Sequence, residues 1–307
     1  MRILVAILAL FVVTEGVAAQ NQHQIGIPAF SRTFSASTTR GFQFQTPIDM
    51  TIVALQVPDE TNHGTQHAAL YKFAAQLPAF PGSTALTPLE YLTAPAGSPM
   101  TLTSPQSFTA GDWVGVAGAA GDTTRMHNSY GPNGPQTINL QCNTTMGYRF
   151  LTQTNIASNK GVASFSSENA GAFGRVDVWY TSPVAIVGSG TGVGTTRNMK
   201  FTSPNQGGKT YQVASSLGTG PIPIDTRNVC LTADAVLFLS VSGLAPTVFS
   251  SYAGTLSATG TGGASLNIPK VAALVGIDIS TAFVTIDGTA PSGIGSISDT
   301  DTFKITV

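Results

Sequence analysis

Gly41-Phe42-Gln43-Phe44-Gln45, then Pro47-Ile48-Asp49, then Thr51-Ile52-Val53-Ala54-Leu55-Gln56-Val57 closed by Pro58, decides the class of fold. Phe42 and Phe44 fall on one face of an alternating strand, the Pro47 segment turns the chain, and the run that follows is apolar enough for burial on both faces. Nothing here has the 3.6-residue period of a helix. The pattern continues outward. Ala68 to Phe73 sets Ala69, Tyr71 and Phe73 on one face and Lys72 on the other. Ala110-Gly111-Asp112 turns into Trp113-Val114-Gly115-Val116-Ala117, and Gly174-Arg175-Val176-Asp177-Val178-Trp179-Tyr180 reads as the last strand of this half. Loops rich in Gly, Pro, Asn, Ser and Thr separate these strands, and Thr181-Ser182-Pro183 marks a domain boundary.

Beyond it, Met199 and Phe201 alternate with Lys200, and Tyr211 and Val213 continue the pattern. Ala233 to Ser242 reads as a strong strand with Leu237 and Leu239 on one face and Val236 and Phe238 on the other. Ser265-Leu266-Asn267-Ile268 ends at Pro269, and a short helical turn is expected over Lys270 to Leu274. Ala282 to Ile286 ends at Asp287-Gly288, and Thr302 to Val307 closes with Phe303, Ile305 and Val307 on one face. Strands of about 5–8 residues recurring at intervals of about 10 are the mark of antiparallel sandwiches. The expectation is an all-β protein of two antiparallel β-sandwich domains, jelly-roll-like over residues 20–182 and immunoglobulin-like over 183–307.

Composition narrows the partners. Of 307 residues 42% are apolar and only 9% charged, and 14 Lys plus Arg against 15 Asp plus Glu leave a net charge of −1. No basic stripe exists to follow a phosphate backbone, which argues against nucleic acid. Met1-Arg2, the apolar run Ile3 to Val13 and the small residues up to Ala19 form a signal peptide over residues 1–19, with cleavage expected after Ala19. The apolar run is too short to span a bilayer, so the expected product is secreted, extracellular or at the cell surface, with no transmembrane segment. In an oxidising compartment Cys142 and Cys230 can pair. They fall 88 positions apart in different halves, where a bridge would staple the domains, and two separately buried thiols are the plainer reading.

The second half resembles a small C-terminal β-sandwich domain of secreted proteins from planctomycetes, myxobacteria and similar Gram-negative bacteria. Ile224-Asp225-Thr226-Arg227, Asp234 to Val241, Pro246-Thr247-Val248-Phe249 and Tyr252-Ala253-Gly254-Thr255-Leu256 carry the resemblance. Asn267-Ile268-Pro269, Ala282 to Asp287, Ala290 to Gly295 and Ser298 extend it over most of residues 183–307. It implies a secreted accessory or attachment module. Cys230 stands where that pattern more often has Pro, so the resemblance gives a bridge no support. Gly41 to Phe73 is similar, more loosely, to extracellular jelly-roll modules of the same bacteria.

Catalytic machinery is mostly absent from the sequence. No Gly-x-Ser-x-Gly elbow occurs; His127-Asn128-Ser129-Tyr130-Gly131 comes nearest. Gly188 to Gly194 lacks the register and the Lys-Ser/Thr of a phosphate loop. The acids of the first half, Asp49, Asp59, Glu60, Glu90, Asp112, Asp122, Glu168 and Asp177, are not brought together by any motif. Two groups of residues stand out. Asp59, Glu60, Asn62, His63 and His67 crowd one polar loop, where calcium suits the oxygens and zinc the imidazoles, with Asp299-x-Asp301 a weaker second cation site. Trp113, Arg125, His127, Asn128 and Tyr130, with Tyr148, combine an aromatic platform with polar groups, as sugar recognition requires. Tyr130, in a Gly-Pro-Asn-Gly loop, is expected to be accessible, whereas Trp113 belongs either to an exposed face or to a second core. The expected function is a non-catalytic binding or adhesion protein whose partners are glycans or other surface polymers. The alternatives are a structural surface or assembly protein and a polysaccharide-acting enzyme.

Overall fold

A computed structural model describes residues 21–290 and 292–307; the signal peptide read over residues 1–19 lies outside them. The first half contains β1 (Gln22–Gln24), β2 (Arg32–Ala36), β3 (Thr39–Gln45), β4 (Met50–Gln56) and β5 (Thr65–Phe73). These are followed by β6 (Thr84–Leu86), β7 (Glu90–Pro95), β8 (Met100–Phe108), β9 (Trp113–Gly121) and β10 (Met126–Asn133). Then come β11 (Gln136–Leu140), β12 (Asn143–Thr152), β13 (Ala163–Glu168), β14 (Ala172–Gly174) and β15 (Asp177–Thr181). A four-stranded sheet in the order β1-β15-β4-β8 faces an eleven-stranded sheet whose centre is β10-β9-β3-β12. Every pairing between these strands is antiparallel.

The strand pair that opened the sequence reading builds the core. Phe42 and Phe44 on β3 and Val114 and Val116 on β9 meet Met50 and Ile52 on β4 and Val178 and Tyr180 on β15 between the sheets. Unlike an ordinary half-solvated antiparallel sheet, the large sheet is covered on its other face too. Ala69, Tyr71, Ala117, Phe150 and Phe165 form a second cluster there, closed by Leu77 and Ile156 from the segments between strands. The run Gly174 to Tyr180 is not one strand. It breaks at Arg175-Val176, where the chain crosses from the large sheet to the small one. Gly174 makes this crossing possible, because a Cβ there would lie 2.4 Å from the Gly41 nitrogen.

The second half contains β16 (Ala185–Ser189), β17 (Thr196–Thr202), β18 (Thr210–Ser216), β19 (Pro221–Ile224), β20 (Arg227–Cys230) and helix α1 (Ala235–Ser242). It continues with β21 (Phe249–Ser250), β22 (Ala253–Thr255), β23 (Thr261–Asn267), β24 (Asp278–Ile286), β25 (Ile294–Ile297) and β26 (Asp301–Lys304). Sheets β16-β17-β23-β21 and β22-β18-β24-β25, with β26 beside β24, enclose Phe201, Val213, Leu266 and Phe283. No sheet of the described residues takes strands from both sides of Ser182-Pro183. The turn expected after Pro269 is a 3-10 turn at Ala272–Leu274.

Two expectations are corrected. Ala233 to Ser242 is not a strand but contains α1. Its positions are apolar on both faces, so alternation carried no information, and the caps decide: Asp234 accepts from the Leu237 amide at 2.9 Å, and Gly243 ends the helix at φ 70°. Cys142 and Cys230 are not separate thiols; they form a disulfide with Cα atoms 5.4 Å apart. β11, β12 and the β19–β20 hairpin deliver them to the junction. There the Asn228 amide donates to Asn143 Oδ1 at 3.1 Å and Asn228 Nδ2 to the Cys142 carbonyl at 3.2 Å.

Candidate functional site

Strand β2 lies at an edge of the large sheet and pairs with β10 in the register Arg32↔Tyr130, Thr33↔Ser129, Phe34↔Asn128, Ser35↔His127. Directly paired residues share a face of an antiparallel ladder. This ribbon therefore sorts its polar residues into two clusters, Thr33, Ser35, Ser129 and His127 on one side and Arg32, Phe34, Asn128 and Tyr130 on the other.

On the first side the loop between β4 and β5 folds against the ribbon, and two segments read separately in the sequence converge. The His63 and His127 rings stack with centroids 3.5 Å apart and planes 10° from parallel. Asp59 accepts from the His63 backbone amide at 2.5 Å, and its Oδ1 lies 3.0 Å from His63 Nδ1. His127 Nδ1 lies 2.7 Å from Ser35 Oγ. Burial, with the neighbouring His63 ring second, holds His127 below the usual imidazole range. Carboxylate, imidazole and hydroxyl are all present, with Asp59 and the Thr61 hydroxyl on His63 and the Ser35 hydroxyl on His127. Thr61 Oγ1 lies 2.9 Å from His63 Nδ1, the nitrogen that Asp59 also meets, and 3.3 Å from Nε2, whereas nucleophile activation sets the hydroxyl on the nitrogen opposite the carboxylate.

The carboxylates proposed for a cation are engaged within the protein. Both Asp59 oxygens serve His63, and Glu60 pairs with Arg175 and accepts from Ser129 Oγ at 3.1 Å. Asn62 is exposed, at φ 58°. His67 belongs elsewhere: it shares a face of β5 with Ala69 and Tyr71, its Nδ1 lies 2.6 Å from the Tyr91 hydroxyl and its Nε2 3.2 Å from the Gly121 carbonyl. In the second half Asp301 pairs with Arg197, and Asp299 Oδ1 accepts from the Ile186 amide. Among the described residues no group of three or more His, Cys, Asp or Glu side chains is placed to hold a metal ion.

The five residues proposed for sugar do not form one patch. Trp113 starts β9, opposite Gln45 and Phe73, while His127 pairs with Ala120 near the other end of that strand. At 3.3 Å per residue they are roughly 23 Å apart. Trp113 is half-buried against Phe73 and Tyr148 at the border of the second core. Arg125 is exposed in the β9–β10 turn. Asn128 is fully buried, its Oδ1 accepting from the Arg40 amide at 2.7 Å and its Nδ2 donating to the Thr38 carbonyl at 3.0 Å. The expected accessibility of Tyr130 is corrected: it lies inside β10, not in a loop, and is 2% exposed.

Tyr130 nevertheless centres the second cluster. Phe34, 37% exposed, stacks on it with centroids 5.5 Å apart and planes 7° from parallel. The guanidinium carbons of Arg32 and Arg149 lie 5.8 and 5.5 Å from the Tyr130 ring centre, and that of Arg40 lies 5.9 Å from the Phe34 ring. Arg149 donates to Glu168, its cross-strand neighbour, at 2.5 Å and to the Tyr130 hydroxyl at 3.1 Å. Arg40 is buried, which lowers its pKa, and the Nε atoms of Arg40 and Arg149 are buried without a hydrogen-bond partner. Three guanidiniums beside one carboxylate make this the basic corner of a neutral chain. Sequence reasoning missed Arg32, Phe34 and Arg149, and found Glu168 only as one of the scattered acids of the first half. Alternation in Arg32-Thr33-Phe34-Ser35 was a usable signal for the first two, whereas the Arg149–Glu168 pair depends on the register of β12 with β13. A scan of the chain against protein-family models finds no match, and a search of the curated proteins finds no similar sequence.

Proposed function

We propose that the protein is a secreted, non-catalytic binding protein that holds an acidic glycan of a cell surface or extracellular matrix against the Phe34–Tyr130 stack. One observation carries the reading: an exposed aromatic ring, backed by a second ring, is surrounded by three guanidiniums and a single carboxylate. An aromatic face accepts the C–H face of a pyranose. Arg32, which is exposed, suits a uronate or sulfate through paired N–H donors, Arg149 adds positive charge behind it while its own N–H groups hold Glu168 and Tyr130, and Glu168 accepts from sugar hydroxyls. The disulfide suits a compartment where thiols oxidise, and no helix among the described residues is long and apolar enough to cross a membrane. The second half then serves as the attachment module that its sequence resemblance implies.

The test is an array of neutral and acidic polysaccharides probed with the secreted protein. Binding to acidic glycans that weakens with added salt and drops on Arg32→Ala is the expected result. Binding to none, or binding indifferent to Arg32→Ala and Phe34→Ala, overturns the reading.

A further inference from the structure

Helix α1 is turned inside out. Its one buried residue is Ser240, whose hydroxyl accepts from the Ser215 amide at 3.0 Å and donates to the Leu237 carbonyl at 2.8 Å. Its solvent side carries Phe238, 61% exposed, and Leu239, 44% exposed, and Leu244 just past the Gly243 cap is 79% exposed. A helix apolar all round is ordinarily enclosed. Leu217, whose amide donates to the N-cap Asp234 at 2.7 Å, extends the patch beyond the helix start. Beside it a half-open cavity of about 180 Å³ between Val236, Leu217, Val248 and Leu274 presents only apolar walls.

We propose that this face is a self-association surface, packed in solution against the same face of a second copy of this chain. The inference is independent of the glycan reading, which concerns the first half. Charge selects the partner. No Lys or Arg occurs between Arg227 and Lys270, and no charged residue of either sign between Asp234 and Lys270. An anionic bilayer calls for cations flanking an inserted helix, and a charged protein surface calls for complementary charge; this face offers neither. A copy of itself meets it with little charge to desolvate, since the one carboxylate at its edge, Asp234, already holds the Leu217 and Leu237 amides. Area agrees. Leu217, Phe238, Leu239, Val241 and Leu244 together expose roughly 500 Å² of apolar side chain, near the top of the range for the largest patch on a monomer. Two such faces reach the roughly 1,000 Å² that a specific interface requires. A two-fold contact is self-complementary, so a protruding ring and a hole on one face serve each other. An apolar cavity of about 150 Å³ takes up benzene, so this one has room for the Phe238 ring of the other copy.

Sedimentation velocity of the secreted, disulfide-bonded protein over a concentration series tests the proposal. The expected result is a monomer–dimer equilibrium in the micromolar range. Phe238→Lys and, separately, Leu244→Lys weaken it at least a hundredfold and leave the circular dichroism unchanged, since both side chains face solvent. Leu244 lies outside the helix, so its variant decides the matter even if Phe238→Lys misfolds. A protein that stays monomeric at hundreds of micromolar, or a dimer indifferent to both variants, overturns the proposal. So does a monomer that floats with phosphatidylcholine vesicles and ceases to do so on Leu244→Lys, because the occupant of the face is then a membrane.

Discussion

Replacing Cys142 and Cys230 together by alanine removes the only covalent tie between the two halves other than the chain itself. The bridge closes a loop of 88 positions. The loop-closure entropy it withholds from the unfolded chain corresponds to about 4.6 kcal/mol at 25 °C. Little changes in the folded state, because the hydrogen bonds from Asn228 to Asn143 and to the Cys142 carbonyl need no sulfur and persist in the variant, and the weak bond from the Cys142 amide to Cys230 Sγ at 3.2 Å is lost with the bridge. Burial of Cys230 is the one packing contribution lost, and alanine keeps its Cβ. Urea unfolding followed by circular dichroism, with fluorescence of Trp113 and Trp179 reporting on the first half, should show a stability loss close to that figure. Heating should show a midpoint lower by roughly 10 °C. A loss below about 1 kcal/mol, with dichroism and fluorescence of the folded state unchanged, would refute the claim that the bridge acts by restraining the unfolded chain.

Three further outcomes follow from particular contacts. His127 is held below its ordinary value of 6.5 in the folded protein, so below about pH 6.5 the unfolded chain binds the extra proton more readily and stability falls with pH. Urea midpoints should therefore be lower at pH 5.5 than at 7.5, and His127→Gln should shrink the difference; equal wild-type midpoints would sink the assignment. Arg197 and Asp301 form a buried pair at 2.6 Å with the guanidinium 4.1 Å from the Phe303 ring centre, so Arg197→Met should cost about 3–5 kcal/mol by stranding the carboxylate, read from the same melts. Asn128→Ala leaves the buried Arg40 amide without its acceptor and should cost about 1–3 kcal/mol, whereas a melt unchanged from wild type would return Asn128 to the list of free ligand-binding groups.

The sheet architecture was legible because alternation and turn residues are local. Phe42, Phe44, Ile52, Val114 and Val116 were placed correctly on strands and enter the core together. The strand reading of Ala233 to Ser242 failed where alternation is uninformative, and the Asp234 and Gly243 caps were the better guide. The second core under Phe150 and Phe165 was foreseen only as one alternative for Trp113, because the segments that cover it carry no periodic signal. Of the candidate sites, the loop acids and histidines were found, but not their partners. The His63–His127 stack and the Arg149–Glu168 pair arise from contacts and registers that no spacing along the chain encodes. Tyr130 was singled out for the wrong reason, since its flanking Gly and Pro suggested a loop where the chain continues as a strand.

Titration calorimetry with the acidic polysaccharide that the array ranks first tests the glycan site most directly, using the wild type, Phe34→Ala and Trp113→Ala. The ring of Phe34 supplies the stacking face, and that contact is worth about 1 kcal/mol, with a similar amount from the apolar area it buries. Phe34→Ala should weaken binding at least tenfold and Trp113→Ala, at the far end of β9, should leave it unchanged. Loss of affinity on Trp113→Ala with Phe34→Ala intact would contradict the account and place the ligand at the other end of the sheet.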